Sequence, residues 1–410
     1  MSTDRIQPGA GTYRPPTIDE IDPSFIYLSP TVMETSEFEA TDTYDDPVEP
    51  GVIDSFDYAK PRGDVIARAE TFLDGIGNRL GNLATVYDRV FAIMEAKRYR
   101  AGTMTQTRFA ENKELFRPVL EGHINDGAPL EFVLPSFPYK FSNPVKVARK
   151  APDMAEILCL SQLYEICHCL SSVYDGGARF VIISDGHLYH KMFGISEYEA
   201  VEFRDQVKEM ISLLGFADSI DIVDMHDLIR SHQERYDLIW HELEPVFGKW
   251  WEQNPDNERV CSLIKSSAPN INTAGEVTHD LVQMATKDIL HDTDEDETLA
   301  NFQKIRDRVR ERSEDGALEF ALTLYTLKEL ALVERCYPQA IRATVHPKPE
   351  QWGIHLVNRQ TRVFPWQGVA VHKASNDRWT VKYESEAIRR RATPIHIKGE
   401  LFPFYYEEEG

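Results

Sequence analysis

Three short stretches of the sequence carry side chains suited to acid-base and anion-binding chemistry. Ser184-Asp185-Gly186 directly follows the apolar run Phe180 to Ile183 and precedes His187, Tyr189, His190 and Lys191. A carboxylate at the end of a buried strand can act as a general base or bind an amine, and a neighbouring glycine lets a ligand approach the backbone. The same Asp-Gly pair also serves ordinary turns. The second stretch is Pro135-Ser136-Phe137-Pro138-Tyr139-Lys140, with Lys146 beyond it. Its prolines stiffen a loop from which Lys140 can hold a phosphate or carboxylate, although loop lysines most often face water. In the third, Ile341-Arg342-Ala343-Thr344-Val345-His346-Pro347, alternation puts Arg342, Thr344 and His346 on one strand face. An arginine fork and an imidazole there would make an anion clamp and an acid-base group. Charge-assisted hydrogen bonds contribute about 1.5–3 kcal/mol each, and a placed acid or base about 10²–10⁴ in rate. A solvated strand face fits the same alternation.

The elements that must position these groups can be traced in order. Leu130 to Leu134, ended by Pro135, has the apolar density of a buried strand. Met154 to Val173 has the length of a helix, and Phe180 to Ile183 follows Gly176-Gly177 as a second buried strand. Strand, helix, strand implies a parallel α/β unit, in which ligands gather at the C-terminal strand ends. Helical spacing recurs from Asp64 to about Tyr99, with a break expected within Gly75 to Gly81, and again from Glu199 to Leu214; Ile220 to Val223 fits a strand. From about Asp227 to Glu334 the patterns are helical with acidic loops, which suggests an insertion or cap. After Pro338 short strands take over at Ala340 to Val345, Gly353 to Val357, Val369 to Val371 and Trp379 to Tyr383. The fold class expected is α/β, a Rossmann-like central sheet with flanking helices, a largely helical insertion and a C-terminal β-rich segment. Residues 1–60 mix Pro, Thr, Ser and acidic residues without periodicity and are expected to be a flexible or loosely docked extension to a catalytic domain over 61–410. The tail Glu407 to Gly410 is expected to fray.

Other signals carry less. Gly75-x-Gly77 with Gly81 has the wrong spacing for a dinucleotide fingerprint and follows no strand. His232-Gln233-Glu234 formally matches two ligands of a non-haem iron site but lies in a polar helical run, and Trp250-Trp251 fits core packing better than a binding platform.

Composition narrows the partners. With 45 Lys and Arg against 67 Asp and Glu, the 410-residue chain has a formal charge of −22, which opposes general affinity for nucleic acid or an anionic membrane. Anionic ligands must then be found by local pockets. Five cysteines, with Cys167 and Cys169 only one residue apart, suit reduced thiols and no metal knuckle. Neither a leader nor an apolar run of membrane-spanning length is visible, so a cytoplasmic location is expected.

Taken in order, these stretches resemble the signature of the isocyanide (isonitrile) synthase family, which includes the pyoverdine and dityrosine biosynthesis proteins. The matching text is Leu-Pro-Ser-Phe-Pro-Tyr-Lys (134–140), Ile-Ser-Asp-Gly (183–186) with Gly194, Ile-Arg-Ala-Thr-Val-His-Pro (341–347) and Pro365-Trp366-Gln367-Gly368-Val369. The resemblance covers roughly 127–198 and 339–371. It implies a Rossmann-like enzyme that condenses an L-amino acid, tyrosine or tryptophan in many members, with ribulose 5-phosphate, and that requires no metal or redox cofactor. The sugar's C2 would become the isonitrile carbon. On that resemblance Asp185 and His346 transfer protons, Lys140 and Arg342 hold phosphate or carboxylate, with Lys146 a secondary candidate for the same role, Ser184 and Gly186 line the pocket, and Trp366 walls it with Gln367 beside it. Two positions depart from the pattern: Lys191 stands where Asp is common, and Gln367 where His is usual. An iron and 2-oxoglutarate oxygenase would be a separate downstream partner. Three other functions remain compatible with the residues: formation of an N-formylated tyrosine, a silent α/β scaffold, and a metal-dependent phosphate-ester hydrolase, for which no second carboxylate stands close in sequence.

Overall fold

In the computed structural model the residues described are 13–26, 48–98, 104–140, 146–190, 193–267, 295–345, 351–361 and 363–409. Gly51–Ile53 forms β1, and the helices α1 (Lys60–Gly81), α2 (Val86–Lys97) and α3 (Met104–Asp126) follow. The first α/β unit is β2 (Leu130–Pro135), α4 (Met154–Ser171) and β3 (Ala178–Ser184). A short turn of helix, α5 (Gly186–Tyr189), then leads to α6 (Glu197–Leu213) and β4 (Ile220–Asp224). A helical stretch comprises α7 (Met225–Arg230), α8 (Gln233–Gln253), α9 (Glu258–Ser267), α10 (Glu295–Leu330) and α11 (Leu332–Cys336). The chain then enters β5 (Ile341–Thr344), β6 (Trp352–Gly353), β7 (Val369–Lys373), β8 (Arg378–Lys382), α12 (Glu384–Arg389), β9 (Thr393–Ile397) and β10 (Tyr405–Glu408).

The central sheet has the order β4-β3-β2-β5-β6 and every pairing in it is parallel. Strands after β2 first step outward to β3 and β4, and the chain then returns to the other side of β2 as β5. The strand order therefore reverses beside β2, which is where an open α/β sheet leaves a crevice at its C-terminal edge. Pleating divides the sheet's side chains between two cores. Phe132, Leu134, Phe180, Ile182, Ile222 and Ile341 pack with the layer that includes α2 and α4. Val133, Val181 and Ile183 pack with the helical stretch through Ile239, Phe247, Ala317 and Tyr325. Each central strand is thus covered on both faces, which explains its near-continuous apolar sequence.

Caps fix the helices that matter for the strand ends. Asp153 accepts from the Ala155 N–H (2.8 Å) while Glu156 Oε2 accepts from the Asp153 N–H (2.9 Å), a reciprocal box that starts α4. Ser196 and Glu199 do the same for α6. The second sheet runs β1-β9-β10-β7-β8 and mixes parallel and antiparallel pairings.

The sequence expectations hold for the α/β class, the parallel unit and the helical stretch, and several details differ. Helix α1 continues through Gly75 and Gly77 to Gly81, so no break interrupts it earlier. Within 1–60, Tyr13, Ile21 and Ile26 are buried, Phe25 packs edge-on against Phe247 and Tyr325, and β1 pairs with β9. These segments gain their order from long-range packing that local periodicity does not reveal. The expected strand over Gly353 to Val357 is reduced to Trp352–Gly353, and Glu407 and Glu408 belong to β10 instead of a frayed tail. Their carboxylates are held by His372 on β7 and Lys382 on β8.

Candidate active site

The loops after β2 and β3 interlock at the crevice. Ser136 donates its N–H to Ile183 O (3.1 Å), and Ser184 Oγ donates to the Phe137 carbonyl (2.8 Å). A β-carbon on Gly186 would stand 1.6 Å from Pro138 O, so glycine is required by the close approach of one loop to the other. Phe137 has a φ of +60°, in the left-handed region that side chains avoid, and its ring packs 5.4 Å from Trp366. Trp366 in turn stacks on Phe364 at 5.2 Å. Three of the four sequence stretches therefore meet.

Asp185 occupies the junction between β3 and α5. Its carboxylate does not cap α5, and Oδ1 is buried with no hydrogen-bond partner. Burial pushes the carboxyl up from 3.8 to about 7; a backbone hydrogen bond opposes the rise and the charge of Asp224 adds to it. A carboxylate whose proton affinity lies near neutrality is suited to accept and return a proton. Tyr139 and Tyr189 are both buried, and burial, with the Asp185 charge second, holds both phenols well above their ordinary range. The Tyr189 ring meets Phe320 of α10 at 4.7 Å, so the helical stretch roofs this end of the sheet.

Arg342 lies opposite Val133 in the β2–β5 pairing, and it is close enough to Tyr189 for its charge to act on that phenol. One Nη donates to Glu334 Oε1 (3.0 Å), and the side chain retains 33% exposure. A guanidinium has further donors, so the fork can still take an anion. Thr344 is buried on the same strand. His346 and Lys191 lie outside the described residues.

Lys140 is not a ligand-facing cation. Its Nζ reaches Asp153 Oδ2 (2.6 Å), Glu156 Oε2 (3.2 Å) and Gly368 O (3.1 Å) inside a fully enclosed cluster. Three acceptors match the three donors of an ammonium, so the lysine ties the β2 loop to α4 and to the turn at Pro365–Gln367. Lys146 is also buried, with Nζ 5.9 Å from the Tyr383 ring. Gln367 is partly exposed, and its N–H donates to Phe364 O (2.9 Å). His232 bonds locally to Ser231 Oγ and Trp250 is in the core, consistent with the solvated-helix and packing readings. Sequence reasoning missed the partners of Lys140; the Asp153-x-x-Glu156 capping box ahead of an apolar run was the available signal. It also gave no role to Tyr139, Tyr189 or Asp224, whose relevance comes from burial. A cavity of about 1010 Å³ lies elsewhere, between α1, α4 and the β7–β8 hairpin, with His372 and Trp379 in its wall.

The model of the pyoverdine/dityrosine biosynthesis protein family matches residues 120–393. The chain belongs to this family. The match spans all the interlocked loops as well as the helical stretch that roofs them. Among relatives of this family member, an L-tyrosine isonitrile synthase from Pseudomonas aeruginosa is 27% identical over 75% of this chain and 88% of its own. An L-tryptophan isonitrile synthase from Fischerella ambigua is 25% identical over 60% of this chain and 69% of its own. The crystal structure of the PvcA protein from P. aeruginosa superposes with a TM-score of 0.62, at 23% identity, over 79% of this chain and all of that one, so the α/β fold is shared. No helix among the described residues is long and apolar enough to cross a membrane.

Proposed function

We propose that this family member is an isocyanide synthase that converts the amino group of an L-amino acid to an isonitrile, with ribulose 5-phosphate as the carbon donor. The observation that carries the reading is Asp185, a carboxyl raised to about 7 at the end of β3 in a chain whose relatives are described as tyrosine and tryptophan isonitrile synthases. Those relatives favour an aromatic amino acid as substrate.

The proposed reaction joins the amine to the sugar's C2 ketone as an imine, with loss of water. Proton transfers and cleavage of both the C1–C2 and C2–C3 bonds, one electron pair staying on C2 and the other leaving with its fragment, then leave C2 on nitrogen; the remaining sugar carbons depart as separate fragments and the phosphate as inorganic phosphate. Asp185 accepts and returns protons, Arg342 binds the anionic sugar phosphate through its free donors, and His346 serves as a second acid-base group. Trp366 supports the loop through Phe137. Lys140 holds the loop in place through Asp153 and Glu156.

Incubation of the protein with mixed L-amino acids and ribulose 5-phosphate carrying ¹³C at C2 tests the reading by mass spectrometry. A labelled isonitrile is the expected product and names the amino acid. A labelled formamide would move the enzyme to the N-formylating branch, and active-site variants indistinguishable from wild type with no amino acid consumed would overturn the enzyme reading.

A further inference from the structure

The cleft between α1, α4 and the β7–β8 hairpin has a volume of about 1010 Å³ and takes no part in the chemistry above. Strand alternation explains where it opens. On the inner face of the second sheet Ala370 and Val381 pack into the core that contains α4, and the next inward positions are His372 on β7 and its partner Trp379 on β8. Close apolar packing ends there and the cleft begins. The His372 ring stacks on Trp379 at 4.5 Å, and its nitrogens meet Glu407 Oε2 (3.1 Å) and Asp377 Oδ1 (2.9 Å). Tyr405 meets the indole edge-on at 5.2 Å. These contacts fix a wall to which Trp379, Tyr405 and Phe56 contribute partly exposed aromatic surface. Facing it, Lys60, Asp64, Ala67 and Arg68 share one side of α1, and Met154, Leu158, Gln162 and Glu165 share one side of α4.

The charges in this cleft are unevenly matched. Arg68 is bound to Glu165 (3.1 Å), which also accepts from Lys97 (2.5 Å), and Asp377 and Glu407 are engaged by His372. The side chains of Lys60, Arg359 and Arg378 have no hydrogen bond or ion pair among the described residues. Asn358 presents Arg359 at the rim: its Nδ2 donates to Trp379 O (2.7 Å), and its Oδ1 accepts from the Gln360 N–H (3.0 Å). Helix α1 begins at Lys60 with no acidic residue in its first turn, so its partial positive end adds to that lysine. Among the described lining carboxylates only Asp64 lacks a partner, and three free cations against it leave a surplus of two positive charges. That surplus stands in a chain whose formal charge is −22.

We propose that this cleft is a second ligand site, for a nucleoside phosphate. The phosphates take Lys60, Arg359 and Arg378, the planar base lies against the wall of Trp379, Tyr405 and Phe56, and Asp64 accepts from a ribose or base donor. A monocarboxylate would leave part of the positive surplus unmet, and an inorganic anion would leave the aromatic wall in water. The volume is at the upper end of the roughly 300–1,000 Å³ that drug-sized ligands occupy, which a nucleotide fills better than either. The inference stands apart from the proposed function, since none of these side chains belongs to the site at Asp185.

Isothermal titration calorimetry of the full-length protein with ADP, GDP, CDP and UDP tests the site. At least one is expected to bind once per chain with a Kd below about 1 mM, and its nucleoside and inorganic pyrophosphate, each carrying half of the recognition, to bind at least about tenfold more weakly. Arg359→Gln combined with Arg378→Gln removes two rim charges at exposed positions and is expected to weaken binding about tenfold or more, the scale of one charge-assisted hydrogen bond. Ala67→Trp fills the middle of the cleft from an exposed helix position and is expected to abolish binding without lowering the thermal midpoint. Ribulose 5-phosphate, which has no planar ring, is expected not to displace the nucleotide. Failure of all four nucleotides to bind below about 5 mM would overturn the proposal, as would an affinity unchanged in both folded variants. Pyrophosphate bound as tightly as the nucleotide, or displacement by equimolar ribulose 5-phosphate, would do the same. An isonitrile made by a protein that binds no nucleotide would leave the proposed function standing and remove this site.

Discussion

Gly186 and Pro138 are in backbone contact: the place where a β-carbon would stand on Gly186 is 1.6 Å from the Pro138 carbonyl oxygen. The two loops that frame Asp185 can close on one another only because position 186 has no side chain. Gly186→Ala must therefore push the loops apart. Backbone offers no rotamer to relieve the overlap, and overpacking costs about 1–3 kcal/mol or more. A fall of several degrees in the thermal midpoint is expected, together with at least a tenfold loss of kcat/KM, and a variant that melts with wild type would show that the loops are not locked here.

Lys140→Met would separate a structural lysine from a substrate-binding one. Asp153 and Glu156 would stay buried without their cation, and breaking such a cluster costs about 3–5 kcal/mol. The urea midpoint of unliganded protein is expected to fall accordingly. A lysine reserved for substrate would leave the unliganded midpoint unchanged.

Asp185→Asn is expected to abolish turnover while stabilising the fold at alkaline pH. The folded carboxyl titrates at about 7 against an ordinary 3.8. A raised folded value favours folding below the ordinary one and loses that advantage as pH climbs through the folded one, so wild type has the greater penalty at pH 8. The amide does not ionise. A gain on the order of 2 kcal/mol at pH 8, vanishing near pH 4, is the expected difference in denaturation free energy, with solvent access moderating the full shift. Equal stabilities of the two proteins at both pH values would contradict the assigned burial of this carboxyl.

In the same chemistry, wild-type kcat/KM is expected to rise with pH through an apparent value near 7 as Asp185 becomes a base. A flat profile from pH 5.5 to 8.5 would remove Asp185 from proton transfer.

Arg342→Gln should act on the sugar phosphate. Loss of charge-assisted hydrogen bonds worth about 1.5–3 kcal/mol corresponds to roughly a 10- to 150-fold increase in KM for ribulose 5-phosphate. Glu334→Gln releases the guanidinium from its ion pair and is expected to lower that KM or leave it unchanged. A rise in the amino-acid KM alone, in R342Q, would reassign Arg342 to the other substrate.

The sequence by itself determined most of the central elements and the parallel character of the first α/β unit. Leu130 to Leu134 and Phe180 to Ile183 are apolar on both faces because helices cover both sides of a parallel strand, and that density is visible without coordinates. The Ser184-Asp185-Gly186 stretch was legible because its residue types stand at a strand end, where an α/β sheet leaves its crevice, and the Arg342 stretch because alternation sets its polar residues on one strand face. Tertiary structure decided which charges are free. Lys140 and Arg342 are both cations beside the same strands, yet one is sealed against Asp153 and Glu156 while the other keeps open donors. It likewise decided that Tyr13 and Phe25 dock far along the chain, that Glu407 and Glu408 are strand residues, and that Asp224 pairs with Ser184 on the neighbouring strand. Residue type and spacing reflect local backbone preference, whereas burial and charge pairing depend on groups brought together from distant positions, and those contacts set the proton affinity of each carboxylate.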